Sequence, residues 1–189
     1  TYLNERGVVD ILIASIDNLR GFGDAIETIF PNTDVQLCIV HQIRNTLKYV
    51  NWKDYRNLLK DLKQVYQAST EELAQHRFEE FKSKWGDKYP KGVKSWEDNW
   101  VRLTNYFKYP KAIRRLIYTT NTVEGYHRMV RKVTKSKGAF TSEMAMLKLV
   151  YLATLQFQKR WKTKILGWPA IVNQLFIYFE SRINDSDTV

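Results

Sequence analysis

Two short apolar segments near the amino terminus are typical of buried β-strands. The first, VVDILIASI at residues 8–16, is apolar at nearly every position, as expected of a strand covered on both faces. The next segment, GFGDAIETIF, has apolar residues at helical spacing and is followed by Pro31. The second apolar segment, VQLCIV, occupies residues 35–40. A strand, a helix and a strand of these lengths predict a parallel β-α-β unit.

From about residue 52 onward the apolar residues recur at helical spacing. One predicted helix has the apolar stripe Ala74, Phe78, Phe81 and Trp85, and the next has Val93, Trp96, Trp100, Leu103 and Phe107. A long helix is predicted over about residues 142–161, and a last one begins near Trp168. Two parallel strands cannot cover each other on both faces. We therefore expect further strands upstream of residue 1, in a longer protein.

The charge of the chain favours a polyanionic partner. Thirty Lys and Arg residues against 20 Asp and Glu residues give 189 residues a net charge of +10, and nucleic acid is the commonest partner of such a surface. A single cysteine excludes an internal disulfide and gives no sign of an oxidising compartment. The longest apolar stretches fall short of the roughly 20 residues that a membrane helix needs, and no signal peptide is visible. We expect no membrane partner.

Asp17 directly follows the first predicted strand. Open α/β sheets place ligands and catalytic groups at the carboxyl ends of their strands. A carboxylate there can coordinate Mg²⁺, which takes oxygen ligands and is often shared with the phosphates of a substrate. The sequence DNLRGFG also suits a turn or a helix cap, and spacing alone favours that simpler interpretation.

A second candidate carboxylate, Glu124, opens the basic segment TTNTVEGYHRMVRKVTKSKG. Asn121 and Glu124 have capping-box spacing, but a first-turn glutamate can cap a helix and still present an oxygen to a metal. Five cations follow: Arg128, Arg131, Lys132, Lys135 and Lys137. Spacings of four, three and four residues put Glu124 and three of these cations on one side of a helix. That side could follow a DNA backbone, and a solvated charged face is the simpler alternative.

Cys38 and His41 have the spacing C-x-x-H, which can indicate zinc. A structural zinc site needs four ligands, however, and the chain has only two further histidines. We therefore interpret Cys38 as a buried strand residue and His41 as a polar group at the end of that strand.

Trp96 and Trp100 could stack on an unpaired base. Both lie on the apolar stripe of their predicted helix, and that periodicity favours a place in the helical core.

Five segments of the chain carry a resemblance to a known family. In order, they read SIDNLRGFGDAIETIFP, VQLCIVHQIRN, KWGDKYP, YFKYP and IYTTNTVEGYHRMVRKVTKSKGAF. Together they resemble the Mutator-type transposases of bacterial insertion sequences. The similarity extends over about residues 5–183 in unbroken order, and its last segment is the most specific to the family.

The resemblance implies an α/β, mostly helical fold in which an incomplete ribonuclease-H-like core carries an all-α insertion. The β-α-β unit and the carboxyl-terminal helices would form that core. The implied division is a partial core over residues 1–51, the helical insertion over 52–117, the carboxyl-terminal helices over 118–183 and a tail over 184–189. Related transposases carry a functional tryptophan in the insertion, which would correspond to Trp100 or Trp96.

The resemblance also implies a catalytic site. In this family two aspartates and one glutamate bind two divalent ions, Mg²⁺ or Mn²⁺. Asp17 matches the second aspartate and Glu124 matches the glutamate, so both are expected to be catalytic metal ligands. Cys38 and His41 match a family motif near the active site.

The first aspartate of the family is expected upstream of residue 1. Asp10 is in the middle of the first predicted strand and Asp34 precedes the second, so neither is a convincing substitute. The implied mechanism is two-metal phosphoryl transfer, which performs DNA cleavage and strand transfer. Because one ligand is missing, we expect residues 1–189 to be inactive by themselves.

Several partners follow from the same resemblance. DNA is expected as both the transposon ends and the target, the complete protein is expected to form a homo-oligomer, and its location would be the bacterial cytoplasm, at the nucleoid. Two alternatives involve no catalytic activity and differ in the part that they give to the positive charge. The chain could be a non-catalytic DNA-binding remnant that kept only a basic surface, or a helical interaction module whose charge is incidental.

Overall fold

The computed structural model describes residues 2–118, 121–160 and 165–183, which are mostly helical with one small parallel sheet. The elements of residues 2–118 are α1 (Tyr2–Glu5), β1 (Ile13–Ile16), α2 (Phe22–Ile29), β2 (Asp34–Leu37), α3 (Ile39–Leu47), α4 (Tyr55–Tyr66), α5 (Glu71–Trp85), α6 (Pro90–Glu97), α7 (Trp100–Thr104) and α8 (Lys111–Ile117). Short 3₁₀ turns occupy Trp52–Asp54 and Asn105–Lys108. The later elements are α9 (Asn121–Lys135), α10 (Glu143–Arg160) and α11 (Trp168–Phe179). The prediction of a mostly helical α/β chain is confirmed.

The chain forms two compact units. The larger unit comprises residues 1–119 and 171–189, and the smaller unit comprises residues 120–170. The division at residues 51 and 117, drawn from the family resemblance, stays a prediction. The predicted tail, residues 184–189, lies outside the described residues.

The sheet consists of β1 and β2, which pair in parallel with Ile13 opposite Asp34 and Ile16 opposite Leu37. The predicted β-α-β unit is therefore confirmed, but both strands are shorter than the apolar runs suggested. Residues 8–12 are not a strand, and Val9 is 90% exposed. After β2, α3 begins at Ile39, whose backbone N–H donates to the carbonyl of Tyr118. His41 lies in this helix, so the prediction that it ends a strand is wrong.

One continuous hydrophobic core joins the sheet to the helices of the larger unit. The predicted stripe of α5 is confirmed, because all four of its apolar residues are buried. The next predicted helix is broken into α6, α7 and a 3₁₀ turn. The side-chain amide of Asn99 donates to the carbonyl of Ser95 at 2.7 Å, which occupies a helix-end carbonyl and accompanies the end of α6. The short helix α8 was not predicted, and only two of its residues, Ile113 and Ile117, are buried.

In the smaller unit, α9 packs against α10. The hydroxyls of Tyr126 and Thr154 are 2.9 Å apart, and the rings of Tyr126 and Phe157 meet edge to face at 6.3 Å between centroids. The predicted long helix is confirmed as α10. Among the described residues, none of the helices has the length and apolar character of a membrane span.

The guanidinium of Arg182 connects the end of the described chain to the segment before β1. It donates to both carboxylate oxygens of Asp10, at 2.8 and 2.7 Å, and to the carbonyls of Ile11 and Asn32. The hydrogen bond from Arg182 is the main reason why the pKa of Asp10 lies below its usual value. Asp10 is thus occupied by a structural ion pair.

This pair predicts a pH-dependent contribution to stability. Because the pKa of Asp10 is lowered in the folded state, the ion pair stabilises the protein above the ordinary aspartate pKa and is lost as the pH falls through the lowered value. We expect Asp10→Asn to lower the free energy of unfolding by about 1 kcal/mol at neutral pH, because the pair is bidentate but partly solvent-exposed. Urea unfolding from pH 7 down to about pH 3 measures this difference, which should shrink toward the acid end.

Asp98→Asn is the control, since Asp98 follows the last residue of α6, forms an exposed pair with Lys94 and should contribute little. An Asp10→Asn deficit of the same size at every pH would contradict the ionic origin of the effect.

Candidate functional site

Asp17 lies where β1 ends, as the sequence predicts. Its carbonyl accepts from the backbone N–H of Leu19 at 2.7 Å, which begins a turn toward α2. Gly21 completes that turn with a φ of +76°, a left-handed conformation that side-chain-bearing residues adopt rarely. The side chain of Asp17 is 57% exposed. A carboxylate on a fixed strand end is thereby open to solvent and to a ligand.

Cys38 and His41 lie beside Asp17 because β1 and β2 are parallel neighbours. The backbone N–H of Cys38 donates to the carbonyl of Ile16 at 2.8 Å, which extends the pairing one residue beyond β2. Cys38 is the N-cap residue of α3 and is 1% exposed. Its predicted burial is confirmed, but it follows β2 and is not a strand residue. His41 follows in the first turn of α3, with a side chain that is 29% exposed.

The three side chains form one cluster. Nδ1 of His41 is 2.7 Å from Oδ1 of Asp17, a hydrogen-bonding distance. One ligand atom from each of Asp17, Cys38 and His41 lies within 4.8 Å of the others. The cluster combines a carboxylate, a thiol and an imidazole, which are the three kinds of side chain that bind divalent metal ions most often.

Reasoning from the residues alone missed this cluster because it counted only cysteine and histidine as partners of the C-x-x-H pair. The family resemblance had implied that Cys38 and His41 lie near the active site. The signal was nevertheless present in the predicted topology. Asp17 follows one strand and Cys38 follows the next, and the carboxyl ends of adjacent parallel strands lie at the same edge of a sheet. The predicted parallel β-α-β unit therefore already implies that Asp17 and Cys38 lie close together.

Asp34 lies at the opposite end of the strand pair from Asp17. It opens β2 opposite Ile13, so about 13 Å of strand separates it from the level of Asp17. Its carboxylate is paired with the hydroxyl of Tyr109 and the ammonium of Lys108. This placement agrees with the expectation that Asp34 does not replace a catalytic aspartate.

Glu124 lies in the first turn of α9, in the smaller unit, and is partly buried. Negative charge is favourable at that position because the helix dipole is positive there. The amino-terminal neighbours Thr119 and Thr120 lie outside the described residues. The predicted helical position of Glu124 is confirmed, and its catalytic role stays a prediction.

The predicted cations behind Glu124 are all exposed, and all but Lys137 lie on α9: Arg128, Arg131, Lys132, Lys135 and Lys137. Within the described part of the smaller unit, none of the five forms an ion pair with a carboxylate. Among the described residues of this unit, then, no ion pair offsets their charge. An exposed row of cations is the kind of surface that a phosphate backbone binds.

Trp96 is in the core of the larger unit. It is 1% exposed, and its indole N–H donates to the hydroxyl of Thr46 at 2.8 Å. Trp100 is half-buried, with its ring 4.7 Å from the ring of Phe78. The burial of Trp96 agrees with the helical-core interpretation. A DNA contact by Trp100 or Trp96 stays a prediction.

Comparisons with known proteins show which proteins this chain is similar to. The chain is 39% identical over 181 residues to the transposase for insertion sequence element ISRM3 of Rhizobium meliloti, covering 95% of this chain and 45% of the relative. It is 34% identical over 203 residues to a probable insertion-sequence transposase of Corynebacterium diphtheriae, covering 97% of this chain and 59% of the relative. These relatives are transposases of insertion sequences.

The family model described as "Transposase, Mutator family" matches residues 1–164. The chain belongs to the Mutator family of transposases, so the resemblance noted in the sequence is confirmed. It spans about half of the length of the relatives above.

Proposed function

We propose that this chain carries part of the catalytic region of a DNA transposase. The observation that supports this most is the exposed carboxylate of Asp17, held at a strand end by His41, in a chain of the Mutator family. Strand ends are where open α/β sheets place catalytic groups. The substrates would be the DNA ends of an insertion sequence and a target DNA in the bacterial cytoplasm, and the complete enzyme would act as a homo-oligomer.

The fold that we propose is a ribonuclease-H-like core interrupted by helices. The parallel β1 and β2 with α2 between them are consistent with the second half of such a sheet, and α4 to α8 follow as a helical insertion. Further strands of that sheet, with the first catalytic aspartate, would lie outside residues 1–189.

In the proposed mechanism, Asp17 and Glu124 are two of three carboxylates that hold divalent ions. The exposed carboxylate of Asp17 fits Mg²⁺ or Mn²⁺, since these ions take oxygen ligands and need access for a phosphate. Two such ions, when bound, activate the attacking oxygen and stabilise the leaving oxygen of an in-line phosphoryl transfer.

Other side chains of this chain would orient the carboxylate and bind the DNA. His41 fixes the orientation of the Asp17 carboxylate through its 2.7 Å contact, so that one oxygen is directed and the other stays accessible. The cations of α9 bind the phosphate backbone and position the scissile bond, which is an electrostatic and orienting contribution. Attack by water would cleave the transposon end, and attack by the resulting 3′-hydroxyl would join it to the target.

Removal of three cations from α9 is expected to lower the salt dependence of DNA binding. Each phosphate contact that is lost reduces the slope of log K against log salt by about 0.9, so changing Arg128, Arg131 and Lys135 to Gln should reduce it by about 2 to 3. The measurement is DNA affinity by fluorescence anisotropy across a series of salt concentrations.

A matched control changes Arg56, Lys60 and Lys63, three exposed cations of α4 that have similar helical spacing. Both triple variants lower the net charge from +10 to +7, so they separate position from total charge. Equal slopes for the two triple variants would show that the α9 surface has no particular part in DNA binding.

The metal-dependent part of the proposal is tested by placing Fe²⁺ at the site of the complete transposase bound to its DNA. With ascorbate and peroxide, Fe²⁺ produces hydroxyl radicals that cut DNA near the bound ion. We expect localised cuts that disappear in Glu124→Gln and persist in Glu79→Gln, a substitution on the exposed surface of α5. Cuts that are indifferent to Glu124 would favour the alternative of a basic, non-catalytic DNA-binding protein.

A further inference from the structure

The cluster at the end of the strand pair has a composition that an oxygen-only magnesium site does not need. Cys38 contributes a thiol and His41 an imidazole next to the carboxylate of Asp17, with one ligand atom of each inside 4.8 Å. We propose that Asp17, Cys38 and His41 together form a binding site for a single transition-metal ion of borderline softness, such as Zn²⁺.

Donor chemistry is the first support for this site. Thiolate and imidazole ligands favour Zn²⁺ or Co²⁺, whereas Mg²⁺ prefers carboxylates, carbonyls and water. A three-ligand set of Cys, His and Asp leaves a fourth position open, as in zinc sites that keep a water or a substrate. When the ion binds, the Cys38 thiol gives its proton to solvent and becomes the thiolate ligand.

Geometry is the second support. With metal–ligand bonds of about 2.0–2.3 Å in a tetrahedron, neighbouring ligand atoms are about 3.4–3.6 Å apart. The ligand atoms of Asp17 and His41, which are 2.7 Å apart, would separate by about 0.8 Å, and a pair at the 4.8 Å limit would approach by about 1.3 Å.

The backbone around the cluster is held in place. Cys38 is fixed to β1 through its hydrogen bond to Ile16, and the start of α3 is fixed through the bond from Ile39 to Tyr118. Ligands on strand ends and on a first helical turn keep their relative positions better than ligands on loops. Burial of Cys38 with exposure of Asp17 gives the site a closed inner side and an open outer side.

The consequence for catalysis rests on the proposed function. Because Asp17 would also be a ligand of the Mg²⁺ pair, an ion held by all three side chains engages the same carboxylate. A zinc-class ion would therefore compete with the catalytic ions and limit DNA cleavage when it is abundant.

Cobalt spectroscopy of the 189-residue chain tests the site without any activity measurement. Cys38 is the only cysteine, so a sulfur-to-cobalt charge-transfer band in the near ultraviolet reports on this residue alone. We expect one Co²⁺ per chain, with a band that Zn²⁺ removes by displacement. Asp17→Asn and His41→Ala should each weaken Co²⁺ binding at least about tenfold, as loss of a ligand does more than loss of a supporting group.

Two controls make the result specific. His76→Ala removes an exposed histidine of α5 and should leave the band unchanged. Glu124→Gln should also leave the band unchanged, because Glu124 is a ligand only in the proposed catalytic site. The band can therefore persist if the proposed function fails, and the proposed function can hold if the band is absent. Circular dichroism checks that each variant is folded. Absence of the band in the unsubstituted chain, or a band indifferent to Asp17 and His41 in folded variants, would overturn the proposal.

Discussion

Replacement of Asp17 by Asn in the complete transposase is expected to lower the rate of DNA cleavage by at least about 10³-fold. A metal ion contributes several kcal/mol to transition-state stabilisation in phosphoryl transfer, and each 1.4 kcal/mol or so corresponds to a factor of ten. The amide of Asn keeps the size of the side chain and its place after β1 but lacks the negative charge that holds the ion. Single-turnover cleavage of a labelled transposon end measures the effect, which should be the same in Mg²⁺ and Mn²⁺.

Asp98→Asn provides the matched control. The side chain of Asp98 is 56% exposed against 57% for Asp17, but it lies on the surface beside α6 and pairs with Lys94. The Asp98→Asn transposase should cleave DNA at the rate of the unsubstituted enzyme. Glu124→Gln should reproduce the Asp17→Asn defect, with DNA affinity retained in both. Cleavage near the normal rate in Asp17→Asn would show that Asp17 is only a turn residue.

The elements that the sequence predicted best are those in which local pattern and tertiary burial agree. The stripe of α5 repeats at helical spacing, and its four apolar residues are buried. The parallel β-α-β unit was predicted from apolar segments on either side of a short helix, and β1 and β2 pair as expected. In these segments no distant residue was needed to choose between alternatives.

The boundaries that the sequence missed coincide with contacts to residues far along the chain. Asp10 is bound by Arg182, which is 172 residues further along the chain, and this ion pair lies where the first strand was expected to continue. Likewise, the bond from Ile39 to Tyr118 accompanies the change from β2 to α3. The apolar runs carry no information about these partners, so strand lengths were overestimated.

For the candidate site too, the local sequence identified the individual residues, whereas their proximity depends on the tertiary structure. Asp17 was identified from its place after an apolar run, and Cys38 and His41 from their spacing in the chain. Their convergence depends on strand pairing, which places Ile16 opposite Leu37 and so sets the residues that follow side by side. The cluster therefore depends on the pairing of the strands. The count of cysteines and histidines in the chain, which leaves out Asp17, led to zinc being set aside.

Replacement of Trp96 by Ala is expected to lower the free energy of unfolding by about 3–5 kcal/mol, because the large cavity left by a buried Trp cannot fully collapse. Trp96 is 1% exposed and packs 6.5 Å from the ring of Phe78. The substitution also removes the indole N–H that donates to Thr46, a buried residue whose hydroxyl would keep only its bond to the carbonyl of Gln42. Since single domains are stable by about 5–15 kcal/mol, a large share of the stability would be lost.

Urea unfolding monitored by circular dichroism measures this loss. Two controls separate the effect of burial from that of removing a tryptophan. Trp52→Ala removes a tryptophan that is 74% exposed and should change stability by less than about 0.5 kcal/mol. Trp96→Phe keeps an aromatic ring and should cost about 1–2 kcal/mol, from the lost hydrogen bond and a smaller cavity. If Trp96→Ala were as stable as Trp52→Ala yet failed to bind DNA, Trp96 would be a base-stacking residue and not part of the core. If stability and DNA binding fall together, the binding defect follows from unfolding, and Trp100 becomes the tryptophan to test for contact with DNA.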